Sequence, residues 1–351
     1  MKKLVLSFFA LLIIGFCFAQ KVDLDRFYVH VSYRNLPAKP LGFDFKTFQV
    51  QATFSSVIAK LFTAEEVIPN FAIEGFKRVE EKGDILVKFE LKDFQIQKTE
   101  VKNRVDEEKD KTGKVISRTT SYWFEIDYAL AADYEIVNNK TNLSLSKASL
   151  EEFNASHNFK SAEYKTYNAA RDFYILNKEG VQRDLISSRL KEYYAEMNNS
   201  LTNMYGYRVV SENELVWISG AKKHPETAPY MTNFNIMKDA FSLMTSDAPV
   251  DQIKEKLQPA IEYLNGLPKK YTADEKADRK MRYSAYYNLG KIYLYLDMPD
   301  EAIVQGNAII TNDYDTGDGK RLIEQANKLK GSFKLNNTSS RHFERNFSDI
   351  L

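Results

Sequence analysis

The chain has 351 residues, with 49 basic and 48 acidic side chains and a formal charge of +1 at pH 7. That balance argues against a nucleic-acid binder, which needs a basic face to neutralise phosphates. At 44% hydrophobic and 28% charged, the composition is that of an ordinary globular protein, long enough to hold a core without cross-links.

The first stretch, MKKLVLSFFALLIIGFCFAQ, has Lys2 and Lys3, an apolar run from Leu4 to Phe16, and small residues at Cys17 and Ala19. This is the plan of a secretory signal, and the run is short for a bilayer span, which takes about 20 residues. Residues 1–19 are expected to be a signal peptide. Cleavage after Ala19 then leaves Gln20 first, removes the single cysteine, and leaves no transmembrane segment. A rival reading attaches lipid to Cys17, although that processing needs a small residue where Phe16 stands. The leader resembles those of exported envelope proteins of the Bacteroidota, which implies the periplasm or the outer-membrane periphery.

From 20 to 220 the apolar pattern has period two. Phe27, Val29 and Val31 alternate with polar neighbours, and YRNLPAKPLG ends the strand with two prolines. Ile85, Val87, Phe89 and Leu91 alternate with Lys88, Glu90 and Lys92; the apolar set then moves to Phe94 and Ile96, which predicts a bulge. Tyr122, Phe124, Ile126, Tyr128 and Leu130 alternate again. Between these strands KNRVDEEKDKTGK, residues 102–114, reads as a solvated hairpin tip. One helix is expected over 181–205, ended by Gly206 in a left-handed turn, with a strand over 207–218. The region is therefore read as an antiparallel β-rich α+β domain.

The polar stretch at 219–230 predicts a linker, placed at 221–231. From 232 to 332 the period is helical: Phe234, Met237, Phe241 and Met244 mark one face, and Ile253, Leu257, Ile261 and Leu264 the next. Pro259 should kink or divide that second helix. Three more helices are expected over 273–296, 300–310 and 319–329, then a flexible tail over 333–351.

Within these helices YYNLGKIYLYLDMPDEAI, residues 286–303, resembles a tetratricopeptide repeat. Tyr286, Leu289, Gly290, Tyr293 and Ala302 occupy the family's packing positions, with Gly290 and Ala302 at a close helix crossing. Gly306 stands where an aromatic is usual. The resemblance covers about 34 residues and implies a TPR-like helical domain after the α+β domain. It also implies a partner-binding inner face formed by Tyr287, Lys291, Leu294 and Tyr295, which share one helix face.

No catalytic, metal or cofactor motif is found. His30, His157, His224 and His342 form no close pair, and neither a glycine-rich phosphate loop nor a GxSxG elbow occurs. NDYDTGDGKRLIE, residues 312–324, has Asp313, Asp315 and Glu324 near calcium-loop spacing, but Asp318 stands where the turn glycine belongs. A helix start is the simpler reading. These features point to a non-enzymatic interaction or scaffold protein whose partners are other envelope proteins of an outer-membrane complex. The alternative is a glycan or peptidoglycan binding module of SusD-like type.

Overall fold

A computed structural model describes residues 22–348 and residue 350; the signal segment and Cys17 lie outside the described residues. The fold class is α+β, with a β-rich, predominantly antiparallel region followed by helices. Two compact units form, one from Leu41–Gly206 and one from the chain up to Pro40 with that from Tyr207 onward.

The first unit holds β2 (Thr47–Phe54), α1 (Ala64–Val67), β3 (Lys77–Arg78), β4 (Ile85–Lys109), β5 (Val115–Asn138), β6 (Leu143–Glu151), β7 (His157–Lys160), α2 (Tyr167–Ile175) and α3 (Lys178–Tyr205). Its sheet order is β3-β2-β4-β5-β6, with β7 also on β5; β2 runs parallel to β3 and β4, and the other pairs are antiparallel. Ile85, Val87, Phe89 and Leu91 are buried with Leu185, Ile186, Leu190, Tyr193 and Met197 of α3 in one core. Burying each such side chain stabilises by roughly 1.5–3 kcal/mol. The expected bulge lies between Leu91 and Asp93, and a second between Ile96 and Lys98.

The charged segment at 102–114 differs from a simple loop tip. Strand pairing continues to Lys109, and the turn is confined to the residues that follow. There the Asp110 carboxylate accepts from the Thr112 and Lys114 amides at 2.8 and 3.0 Å, and Gly113 takes φ +85°. Gly206 does not adopt the expected left-handed turn; its φ is −87°. A Cβ there would sit 2.7 Å from the Glu74 carbonyl oxygen, so close backbone approach is what requires glycine.

The second unit holds β1 (Leu24–Arg34), β8 (Val209–Ser219), α4 (Thr227–Ser242), α5 (Asp251–Lys270), α6 (Lys276–Tyr295), α7 (Pro299–Asn312) and α8 (Thr316–Asn336). Strands β1 and β8 pair with each other along their whole length, from Leu24↔Ser219 to Arg34↔Val209. The change from strand to helix falls between Ser219 and Thr227, where the sequence period changes, but the units divide after Pro40 and after Gly206. An isolated two-stranded ribbon cannot bury its apolar face. Val29, Val31, Val216 and Ile218 bury theirs with Phe234, Met237, Phe241, Leu289 and Ile292. Pro259 lies within α5, which remains one helix.

Gly290, Leu289 and Ala302 are buried and Tyr286 and Tyr293 half-buried. The room left by Gly290 is filled by Leu322 of α8. Gly306 belongs to a second close crossing: a Cβ there would lie 2.6 Å from Ile323 Cγ1 and 3.0 Å from the Gly319 carbonyl oxygen. This accounts for glycine at a position where the repeat pattern has an aromatic.

The segment after α8 is docked, not a flexible tail. Arg341 Nε donates to Asp297 at 2.7 Å and Arg341 Nη2 to the Leu294 carbonyl at 2.7 Å. The Arg34 amide donates to the Arg341 carbonyl at 3.0 Å. The His342 side chain is fully buried, and its Nδ1 donates to the Thr245 carbonyl at 2.9 Å. Burial holds the His342 pKa below its ordinary value, with Arg341 adding to this and Asp297, 3.8 Å from Nε2, partly opposing it. The folded state thus binds this proton later than the unfolded chain, so docking is strongest above the unfolded pKa of about 6.5 and weakens as pH falls below it. Amide exchange across residues 338–348 should rise between about pH 7.5 and pH 5 in the wild type, and His342→Gln should flatten that response. An equal rise in the variant would show that another group drives it.

Candidate functional site

The site is built around Trp217, whose backbone is clamped from the side of the ribbon. Asn288, buried in α6, accepts from the Trp217 amide at 2.9 Å and donates to its carbonyl at 2.7 Å. The two bonds satisfy edge groups that β8 cannot pair in its own ribbon. They also fix the indole against α6, with ring centroids 6.3 Å from both Tyr283 and Tyr287.

Those rings form one wall of an open groove of about 450 Å³. The chain after α7 brings Tyr314 to 5.0 Å from the Tyr283 ring. Asp315 caps α8 by accepting from the Asp318 amide at 3.2 Å, so this stretch starts a helix, and Asp315, Asp318 and Arg321 line the groove. Leu24 and Leu215 add apolar surface, and Arg26, Lys280 and Arg321 add cations.

The polar groups divide into satisfied and unsatisfied. Tyr283 donates its hydroxyl to Asp318, which also receives Arg321; Lys280 donates to the Val22 carbonyl at 3.2 Å and to Asp23 at 3.3 Å. Burial, followed by the Asp318 bond, pushes the Tyr283 hydroxyl pKa far up; burial and then Glu214 do the same for Tyr287. Both phenols therefore remain neutral at physiological pH. Trp217 Nε1 is buried beside the Tyr283 hydroxyl, whose oxygen can accept from the indole N–H while its own proton goes to Asp318. Arg26 lies over the Trp217 ring at 5.5 Å and makes no ion pair among the described residues. A guanidinium beside these rings can bind a carboxylate or carbonyl oxygen together with apolar or planar surface.

Of the residues expected to bind a partner, only Tyr287 reaches this groove. Lys291 is 9% exposed; its Nζ lies 3.2 Å from Glu214 and donates to Gln325 at 3.3 Å. Tyr295 is 5% exposed and donates to Glu214 at 2.6 Å, while Leu294 is 7% exposed among Ala302, Ile309 and Leu329. The common helix face is thus covered by the chain itself: Glu212 and Glu214 of the ribbon meet Lys291 and Tyr295, and α7 and α8 cover Leu294. Trp217, Arg26 and Tyr314 were not singled out from sequence. Alternation placed Trp217 on a strand, but only the β1–β8 pairing brings Arg26 over its ring.

A larger groove, of about 590 Å³, lies beside Arg279, Arg282 and Tyr286. Its central cation is occupied: Arg282 donates to Asn312, at 2.7 Å, and to the Tyr271 and Ala273 carbonyls, each at 2.8 Å. Among the described residues no helix is long and apolar enough to cross a membrane.

No protein-family model matches the chain, and no curated protein matches it. Among solved structures, a protein from Helicobacter pylori described as a homologue of neuraminyllactose-binding hemagglutinin is similar over 48% of this chain and 97% of its own, at 10% identity and a TM-score of 0.21. A likeness at that score carries no argument about fold or function.

Proposed function

We propose that this is a non-enzymatic interaction protein of the cell envelope, exported to the periplasm or the outer-membrane periphery, that holds a partner polypeptide in the Trp217 groove. The observation that carries the reading is the pairing of an aromatic wall with an exposed cation that makes no ion pair among the described residues: Arg26 over Trp217, beside Tyr283, Tyr287 and Tyr314. Aromatic and arginine side chains supply most of the energy at interfaces, because they bury area and still offer directed polar contacts. The TPR-like reading of α6 and α7 agrees with this role, although the groove lies on α6, β8 and the start of α8. The envelope location rests on the signal-like leader and on the resemblance to exported Bacteroidota proteins. The partner is accordingly proposed to be an envelope protein of an outer-membrane complex.

Arg26→Glu is the sharpest test, since Arg26 is exposed and makes no ion pair among the described residues. Recovery of the partner from gentle detergent extracts should fall at least about tenfold with this variant and with Tyr287→Ala. The Arg26→Glu melting temperature should stay within about 2 °C of wild type, because exposed substitutions rarely change stability much. Undiminished recovery by both variants would reject the groove as the binding site. Binding of wild type to neutral glycans, lost on Tyr287→Ala, would replace the polypeptide with a sugar.

A further inference from the structure

We infer that β4 is also an interface between two copies of this chain, which join edge to edge about a two-fold axis at Val105. The pairing of β2 on β4 stops at Leu91, and beyond that point the ladder bonds of β4 go to β5 alone. The outer edge of β4 from Asp93 to Lys109 therefore has no neighbouring strand among the described residues. Residues 103–109 extend for roughly 20 Å at ~3.3 Å per residue. Their side chains are exposed, Val105 at 51%.

Such an edge is a template for another strand, and proteins usually protect it with charges of one sign, a proline or a covering segment. Here the charges follow a different order. Between the bulge at Ile96/Lys98 and the shift at Glu108/Lys109 the strand alternates regularly. One face then carries Lys102, Arg104, Asp106 and Glu108: two cations followed by two anions. Set antiparallel against itself with Val105 opposite Val105, this order places Arg104 opposite Asp106 and Lys102 opposite Glu108. Each pair occurs twice by symmetry, giving two times two, or four, cross-strand ion pairs.

Neighbouring registers are poorer. Centring on Asn103 sets Lys102 against Arg104; centring on Arg104 or Asp106 sets that residue against its own copy and keeps two of the opposite-charge pairs, Lys102 with Asp106 or Arg104 with Glu108. Opposite charges across a strand pair stabilise, and like charges destabilise, by roughly 0.2–1 kcal/mol each. The charge order therefore favours the Val105 register, with the most opposite-charge pairs and no like-charge contact among these four residues. Within one copy, Arg104 contacts Asp106 at 3.0 Å and Lys102 contacts Glu125 at 3.0 Å. These are exposed pairs of little net worth, so exchange into the interface costs little. The free edge of β5 offers no such match, since Arg118 is the one charged residue between Val115 and Phe124.

The test is a charge swap followed by analytical ultracentrifugation of the intact chain. Wild type should sediment at twice the monomer mass, and less so at high salt. Arg104→Asp alone sets Asp against Asp106, and Asp106→Arg alone sets Arg against Arg104; each should be monomeric. Mixed in equal amounts, the two variants should recover the dimer, because each then meets its opposite charge. Circular dichroism of each variant should match wild type, as both positions are exposed. A wild type that remains monomeric across the concentration range, single variants that still dimerise, or a mixture that fails to recover the dimer would each overturn the proposal. None of these outcomes bears on the Trp217 groove.

Discussion

Asp297→Ala should lower the melting temperature of the helical unit by roughly 10 °C and release the segment that follows α8. Asp297 sits just past α6 with φ +59°, a left-handed conformation that Asp and Asn tolerate better than most residues. Its side chain is 3% exposed. It accepts from the Arg341 amide at 2.6 Å, from Arg341 Nε at 2.7 Å and from the Ser340 hydroxyl at 2.9 Å. Alanine removes all three acceptors and leaves the Arg341 guanidinium, itself 10% exposed, with the Leu294 carbonyl alone. Breaking one partner of a buried ion pair costs about 3–5 kcal/mol, since the remaining charge stays desolvated. Asn should cost less, because it keeps the backbone preference and one acceptor oxygen. Calorimetry of the two variants measures the difference. A loss below about 1 kcal/mol for alanine would show that the segment is held by other contacts.

The elements of this fold were legible in sequence where burial is one-sided and local. The period-two run from Ile85 to Leu91 and the helical run from Leu185 to Leu201 both mark faces that the structure buries. The shift from Leu91 to Phe94 marked a bulge because an extra residue must turn the apolar set to the other face. What remained hidden depends on partners distant in the chain. Phe27 to Val31 reads as a strand, but nothing local says that it pairs with Glu212–Val216, more than 180 residues later. That pairing decides both the division into units and the burial of Lys291 and Tyr295. The tetratricopeptide resemblance implies that they line an exposed inner face, and a lysine on a helix is usually solvated. Glu214, supplied by β8, makes burial acceptable. Arg341 and His342 lie in a stretch with no apolar period, and their docking rests on directed polar contacts that hydropathy does not register. The groove was half legible for the same reason: Tyr287 lies on a recognisable helix, whereas Arg26 arrives through the ribbon.

Glu151→Ala should destabilise the sheet-containing unit by about 3 kcal/mol near neutral pH, and by much less in acid. Glu151 ends β6 with its side chain 5% exposed. It receives Arg189 Nη2 at 2.8 Å, the hydroxyl of the buried Tyr193, and His157 Nε2. Arg189 also lies over the Tyr193 ring at 5.3 Å. The carboxylate thus joins the end of β6, the start of β7 and the middle of α3. Alanine would leave the Tyr193 hydroxyl without its acceptor, and would leave Arg189, whose Nε already lacks one, with Glu192 as its remaining carboxylate. Burial alone would raise the Glu151 pKa; the bonds from Tyr193, His157 and Arg189 outweigh it and hold the carboxyl below its ordinary value. With the folded pKa depressed, the native state stays ionised where the unfolded chain has begun to protonate. The stabilisation is therefore complete above the unfolded value of about 4.3, and is lost as pH falls through the lower, folded one. Wild type and Glu151→Ala should accordingly differ most at neutral pH and converge below about pH 4. Glu151→Gln, which keeps an acceptor but cannot ionise, should show an intermediate deficit at neutral pH. Thermal melts of the three proteins across this range decide the matter: a deficit for alanine that does not shrink in acid would mean that the lost volume, and not the ionised carboxylate, is what the unit misses.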